Sequence, residues 1–541
     1  MSTTRIFNEF TKNALVLALA LPCVAGAQTD TRARADSLVN AGDIAANDSK
    51  PRAAIDAYER AIVLDTSRRL ALLPRLGRQY LWADSPRQAA RLFTEYLAVH
   101  PQACGPRLDL GLALSWADAL DSARVIYDDV AARCIYERGD ARLGAARVLR
   151  WGNNFSEAER RYRAVMADGS DGDREQAAIG LAYVRLARAE PRAARALADS
   201  LLAAGSRDAS LVEARAMALA DLGAFGSAIA AVRMDRAAGR GTASMDRLVR
   251  GWQDRARTSF NGGARGFRDH DGTSFRAATV GSAAAPLALG TVGVTARAAE
   301  LRGDSDQFRS RELEGFLDLR PAPALAVSAR GGLKSYDQAN FSPWDGEVNI
   351  ALLPGDRHRI DVAAARVVIG DNVAAIQHRL IGSFGSIGVT ERLTSRLSTA
   401  VSADVTRWSE GNTRLRVQAS PRFTFEGVPV VTLEWPTIYQ HYDAPFDFRF
   451  FSPTEYLETG PAVSVNRRLA QVWYVSAYAR AGGLREAGRS WQALGIGRMS
   501  VEREVRSHWG VRFDAGWSNS NLAGSGGFQR TILGVGVTVR P

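Results

Sequence analysis

Lysine is almost missing from this chain. Three of its 69 basic residues are Lys (Lys12, Lys50, Lys334) and the other 66 are Arg. With a formal charge of +11, an Arg-heavy chain invites a nucleic-acid reading. No run of five basic residues and no nucleic-acid motif accompanies it, so genomic composition bias is the better account and no nucleic-acid partner is expected. Long apolar runs are missing too: beyond residue 30 no stretch of 18 uninterrupted apolar residues occurs. That speaks against membrane helices but leaves membrane strands open, since these are short and half apolar. Cysteine is scarce at three (Cys23, Cys104, Cys134), too few for a structural zinc site of the usual kind once a leader is removed. The six His are scattered, and no HExxH, GxSxG, P-loop or CxxC occurs. The single carboxylate–His cluster, Asp269-His270-Asp271, reads as a solvated loop, and Glu502 with Glu504 reads as an ordinary strand face. No catalysis, cofactor or metal is expected.

What is present divides the chain by period. Residues 1–27 read as a secretory signal: Arg5 and Lys12 precede an apolar Ala14–Leu21, and Ala25-Gly26-Ala27 offers small residues for cleavage. Pro22 stands before Cys23 where lipid attachment expects a small residue. From 28 to about 235, Gly42, Gly77, Gly111, Gly144 and Gly180 are separated by 35, 34, 33 and 36 residues. Ala54, Ala89 and Ala123 follow the first three by 12, and Tyr58, Phe93 and Tyr127 by 16. Ala158 and Tyr162 keep the mutual spacing in a fourth unit, after a slightly longer turn (Gly152-Asn153-Asn154). A fifth (Gly180, Tyr183, Ala193) is degenerate and a sixth, Ala216–Ala231, weak. Small residues let paired helices approach and an aromatic fills the gap, so stacked hairpins share one core. This half resembles a tetratricopeptide-repeat array. The register places Cys104 and Cys134 at adjoining ends of one hairpin, which allows either a disulfide or two buried thiols.

Residues 236–257 read as a linker, and from 258 to 541 the period becomes two. Glu312, Glu314, Asp318 and Arg320 alternate with Leu313, Leu317 and Leu319. Arg414 and Arg416 alternate with Leu415 and Val417, and Arg512 and Asp514 with Val511, Phe513 and Ala515. About 16 strands are expected, with long and short links alternating. Leu301–Ser310, Ser335–Asp345 and His441–Thr454 are the long links; Pro321–Pro323, Pro354–Asp356, Glu426-Gly427 and Arg467-Arg468 are the short ones. Long links at one end and short turns at the other, with an even strand number, fit an outer-membrane barrel better than a soluble sandwich. Eight of the 11 Trp and 15 of the 20 Phe lie beyond residue 250. Trp408, Trp435, Trp473, Trp509 and Trp517 are placed near strand ends, as an interfacial girdle requires.

The fold class is therefore an N-terminal α-solenoid followed by an antiparallel transmembrane β-barrel. That order resembles the exopolysaccharide export porins, the cellulose synthase outer-membrane subunit and the poly-N-acetylglucosamine exporter. Locally, Phe450-Phe451-Ser452-Pro453-Thr454-Glu455-Tyr456 is similar to an aromatic–Ser-Pro–Tyr segment of the cellulose-type barrels, although this chain has far fewer repeats. The resemblance implies a conduit in the outer membrane with its repeats in the periplasm. The partners implied are an exopolysaccharide, synthase or modifying components held by the repeats, and outer-membrane lipid. From strand alternation, Glu312, Glu314, Asp318, Arg320, Arg414, Arg416, Arg422, Arg512 and Asp514 are candidates for the lumen wall. Two rival readings remain: a protein-handling barrel resembling surface-lipoprotein translocation modulators, and a scaffold anchored by a plugged barrel.

Overall fold

The computed structural model describes residues 31–285, 290–304, 306–446, 448, 450–469, 472–505, 509–520 and 529–541. The expected leader, 1–27, lies outside the described residues. The chain forms two compact units: residues to Gly152 with Glu157–Ala177, and Asn153–Ser156 with Ala178–Pro541.

Helices pair along the first half: α1 (31–47) with α2 (Pro51–Leu64), α3 (Arg69–Trp82) with α4 (Pro86–Val99), and α5 (Cys104–Trp116) with α6 (Leu120–Arg133). Then come α7 (Arg138–Trp151) with α8 (Phe155–Asp168), α9 (Asp171–Ala187) with α10 (Pro191–Ala203), and α11 (Ala209–Asp221) with α12 (Phe225–Ala237). The glycine–aromatic spacing has a direct cause. A Cβ on Gly42 would lie 2.5 Å from the ring of Tyr58, on Gly77 2.8 Å from Phe93, and on Gly111 2.8 Å from Tyr127. These aromatics are almost fully buried.

The structure corrects the fourth anchor. The inter-helix turn of each repeat carries one residue with positive φ, seven after its small residue: Ser49, Asp84, Asp118, Asn153, Ala189 and Gly223. Counting back seven from Asn153 gives Ala146, fully buried, with Tyr162 sixteen beyond it. Gly144 instead packs against Tyr127 of the preceding hairpin. The turn is thus not longer; the anchor is Ala146 and the spacing from Gly111 is 35. By the same count the fifth and sixth anchors are Ala182 and Ala216, both fully buried. A disulfide joins Cys104 at the start of α5 to Cys134 after α6, with Cα atoms 5.9 Å apart.

In the second unit the segment 236–257 is not a bare linker. Most of it is α13 (Ala243–Ala256), capped by the Thr242 hydroxyl. Met245 and Trp252 are buried against Val212, Ala216, Leu219 and Val232, so α13 closes the apolar end of the repeat stack.

Eighteen strand segments follow among the described residues. They are β1 (Ser259–Asp269), β2 (Ser274–Ala284), β3 (Gly290–Arg302), β4 (Gln307–Ala322), β5 (Leu325–Tyr336) and β6 (Trp344–Leu352). Next are β7 (His358–Val368), β8 (Ile381–Arg392), β9 (Leu397–Trp408), β10 (Thr413–Phe425), β11 (Val430–Glu434) and β12 (Thr437–Tyr442). The last are β13 (Tyr456–Thr459), β14 (Ala462–Leu469), β15 (Trp473–Glu486), β16 (Gln492–Val505), β17 (Trp509–Ser518) and β18 (Arg530–Val539). A short helix, α14 (Val373–Gln377), lies between β7 and β8. β11 and β12 both pair with β10 and form one strand broken at Trp435-Pro436. β13 and β14 likewise form one strand broken at Gly460-Pro461. The ring therefore has 16 strands, all antiparallel, and closes by ten residue pairs between β1 and β18.

Alternation fixes the two faces. Val280, Leu313, Leu333, Ile387, Leu415, Phe513, Leu533 and Val535 are exposed on the outer face, as a lipid-facing band requires. Trp435, Trp509 and Trp517 are exposed on that face as the girdle expectation requires, whereas Trp408 is buried and points inward. Two links differ from expectation. Gln307 and Phe308 pair with Arg302 and Leu301, so the Leu301–Ser310 loop shrinks to 303–306. Arg467 and Arg468 lie within β14, and the reversal comes after Leu469.

Candidate functional site

The inner wall of the barrel is polar and internally compensated. Cross-strand register puts Glu312, Glu314, Asp318, Arg414, Arg416, Arg422, Arg512 and Asp514 on this face. Most of the charges are paired: Arg297–Glu312 at 2.9 Å, Arg414–Asp404 at 2.7 Å, Arg422–Glu434 at 3.0 Å and Arg512–Asp514 at 2.8 Å. Lys334–Asp345, Arg330–Glu347 and Arg359–Asp361 continue the pattern. Glu314 and Asp318 have no ion-pair partner among the described residues, and Arg416 makes only a long bond to Gln418. A wall of paired charges presents hydrogen-bond donors and acceptors without a strong net field. Open interior space of about 710 Å³ is lined by Arg416, Gln418, Glu434, Tyr478, Arg498 and Arg512 among others.

Arg320 does not belong to that wall. Beyond Leu319 the β4–β5 register shifts, and the Arg320 guanidinium donates to the carbonyl of Asp221 at the end of α11. It is one of a set of contacts by which the short turns hold the last repeats. Asp356 accepts from the backbone N–H groups of Arg192 and Ala193, at 3.1 and 3.0 Å, and so caps the N-terminus of α10 from the β6–β7 turn. Arg192 donates in return to the carbonyls of Gly355 and Pro323. Glu426, in the β10–β11 turn, accepts from the Ser156 N–H at 2.7 Å and its hydroxyl at 2.9 Å, and faces Arg188 and Arg396. Arg392 donates to the carbonyl of Arg188. The turns Pro354–Asp356 and Glu426-Gly427 were visible in the sequence; their capping role was not.

The other end of the barrel is covered from inside. The β7–β8 link carries α14, whose Ala375 and Ile376 are buried, as is Leu380 after it. Arg530 of β18 binds Asp269 of β1 through two bonds, at 2.7 and 2.8 Å, and reaches Asp371 of the β7–β8 link at 3.2 Å. Its guanidinium lies 3.6 Å from the Phe267 ring centroid. β18 and β8 are eight steps apart either way round the ring of 16, so this link crosses the lumen. Asp269 is therefore no solvated loop residue but a buried acid. Beside this link, Phe446, Phe448 and Phe450 of the β12–β13 link pack with Ala375, Leu380, Trp408 and Tyr442. His378 stacks on Phe448 at 3.9 Å. The heptad at 450–456 thus has a structural place: Phe450 joins this cover, and Tyr456 is fully buried.

Below the cover, the strand breaks expose carbonyls that must find donors. Arg480 donates to the carbonyl of Pro436 at 2.8 Å and to Glu458 at 2.6 Å. Glu458 also accepts from Tyr456 and Ser520. Sequence reasoning set Asp269 aside as a solvated loop and missed Asp371, Arg530, Glu458 and Arg480. The one signal available for the last pair was Gly460-Pro461, a dipeptide that breaks a strand.

In the first unit, one surface stands out. The solenoid holds three Trp, and each is the last residue of the first helix of its hairpin: Trp82, Trp116 and Trp151. They are 65%, 41% and 38% exposed, and the first two meet edge to face at 5.9 Å. Asp84 and Asp118, two residues after the first two, are exposed and have no ion pair among the described residues.

No family model matches this sequence, and no curated protein matches it. Among solved structures, a bacterial polysaccharide outer membrane secretin is similar at 13% identity and TM-score 0.43, over 53% of this chain and 99% of that one. A tetratricopeptide repeat protein from Parabacteroides merdae is similar at 16% identity and TM-score 0.33, over 40% and 84%. CdiB from Acinetobacter baumannii is similar at 10% identity and TM-score 0.35, over 52% and 60%.

Proposed function

We propose that this chain is an outer-membrane exporter of a secreted polysaccharide, with its repeats in the periplasm binding the polymer or the components that make and modify it. The observation that carries this reading is the row of tryptophans. A sugar ring presents C–H bonds with partial positive charge, which meet the negative face of an indole. Platforms repeated at one position of successive hairpins suit a linear polymer of repeated rings better than a compact ligand. The lumen wall supports the same reading. Sixteen strands enclose enough width for an aqueous path, and paired charges offer many weak hydrogen bonds, which allow passage where tight binding would stall it. The barrel performs no chemistry in this scheme.

A second reading has its own support. The cover formed by α14 and the phenylalanine link favours a plugged anchor whose repeats recruit or pass proteins. Conductance of the purified chain in a planar bilayer separates the two. Export predicts channels that neutral or anionic polysaccharide blocks, with the block weakened at least tenfold in the Trp82→Ala/Trp116→Ala/Trp151→Ala variant. A chain that never conducts, even with residues 369–380 shortened, overturns export and leaves the anchor.

A further inference from the structure

The outer face of the barrel carries a feature that neither reading uses. Cross-strand register aligns Gly266, Arg276, Glu300 and Arg309 in one row across β1–β4. Arg268 and Arg302 lie one pleat toward the covered end, and Arg311 one pleat toward the apolar band. All five arginines point outward, on the face that carries Val280 and Leu313. On the outward face of these four strands the five arginines meet one acid, Glu300; Asp337 follows β5, and Asp271, Asp304 and Asp306 lie in the links beyond the strand ends. Glu300 pairs with Arg302, and Asp337 reaches Arg311 only at 3.9 Å. Arg268, Arg276 and Arg309 have no ion-pair partner among the described residues. Cations on a lipid-facing surface are costly unless they meet water or anionic headgroups.

Beside the arginines lies a trough of about 960 Å³ whose exposed lining is mostly carbon. Small residues, Ala264, Ala278 and Ala298, form its floor, and Met499, Phe513 and Leu533 rise at its side. An apolar trough with a cluster of guanidinium groups at one end is complementary to an amphiphile: acyl chains along the trough, phosphate at the arginines.

We propose that this face binds a phosphorylated glycolipid of the outer leaflet, with phosphate held by Arg276, Arg309 and Arg311. The proposal rests on the barrel lying in an outer membrane with its covered end outward, and not on what passes through it. The detergent-solubilised full chain is titrated with bis-phosphorylated lipid A, with the same lipid after phosphate removal, and with phosphatidylglycerol. Thermal unfolding and native mass spectrometry supply the readouts. The expected result is a concentration-dependent rise in melting temperature with lipid A alone. Arg276→Ser/Arg309→Ser/Arg311→Ser should weaken that binding at least tenfold, while Arg467→Ser, an outward arginine at the other end, should leave it unchanged. Equal stabilisation by the dephosphorylated lipid overturns the proposal in the wild-type chain, whatever the variants do. Equal stabilisation by phosphatidylglycerol overturns the outer-leaflet assignment, and undiminished lipid A binding by the triple variant overturns the site. Loss of conductance blocking with lipid binding intact would sink export and leave this site standing.

Discussion

At the scale of single residues, the solenoid is governed by the space between a small residue and a ring. Gly111 sits where a Cβ would fall 2.8 Å from Tyr127, and Gly144 packs against the same ring. Gly111→Ala therefore forces the ring out of a filled site. Overpacking of this kind costs roughly 1–3 kcal/mol, which a denaturant melt followed by helix circular dichroism would register. Tyr80 gives a second residue-scale expectation. Its hydroxyl donates to Glu59, and burial, then that carboxylate, pushes its pKa up from 10.0 to about 12. A folded-state pKa raised in this way contributes stability that is fully present below pH 10 and is lost as pH climbs through about 12. Helicity of the wild-type chain should fall over that window, and less steeply in Tyr80→Phe, with phenolate absorbance reporting the titration. The sequence showed the anchors wherever they were glycine. It hid the fourth because Ala146 serves as well as glycine there, and alanine is too common in this segment to mark a position. The positive-φ residue seven further on is the better marker, but Asp84, Asp118 and Asn153 announce it only once their backbone angles are known.

Elements meet through caps supplied from far away in the chain. Asp356 caps α10 from 163 and 164 residues off, and Glu426 holds Ser156 from 270 residues off. An N-cap acid replaced by Ala costs about 0.5–2 kcal/mol. Asp356→Ala with Glu426→Ala should therefore loosen 178–256 from the barrel turns without opening the barrel. The expected readout is faster hydrogen exchange at the first turn of α10 and at Arg192, with β-strand amides unchanged; unchanged exchange in α10 would argue against the capping role. Strand existence and facing were legible because one face of each strand is apolar. That pattern placed Arg414, Arg416, Arg512 and Asp514 correctly inward. It misplaced Arg320 because alternation ends where a register shift begins; Pro321, which cannot donate to the ladder, marks that shift, but in the sequence it reads only as the start of a turn.

For the whole molecule, the decisive feature is the link that spans the lumen. Arg530 binds Asp269 and Asp371 together, and these lie 261 and 159 residues away in sequence. Removing the cation takes the guanidinium from buried Asp269 and from part-exposed Asp371, and the loss at the buried acid costs more than an exposed pair contributes. Arg530→Ser should free the β7–β8 link and raise single-channel conductance or its open probability. A channel indistinguishable from wild type would show that the link is held by its apolar contacts, Ile376 and Leu380, alone. None of this was readable beforehand: Asp269 looked like loop chemistry because its partner enters only with the last strand.

That last strand carries a further consequence. The ring is closed by β1 and β18, the two strands farthest apart along the barrel segment, and their join is rich in glycine: Gly262, Gly263 and Gly266 face Val537, Gly536 and Leu533. Loop-closure entropy makes the join between the most distant partners the hardest to form by chance encounter. Every other neighbouring pair can zip from a nearby turn. Assembly of this wall therefore has a natural final act, the meeting of residues near 260 with those near 539, and until it occurs two unpaired edges stand open. Arg530 clasps Asp269 and Phe267 across one end of this join, while glycines fill its middle, so such a wall would first part from the end away from that clasp.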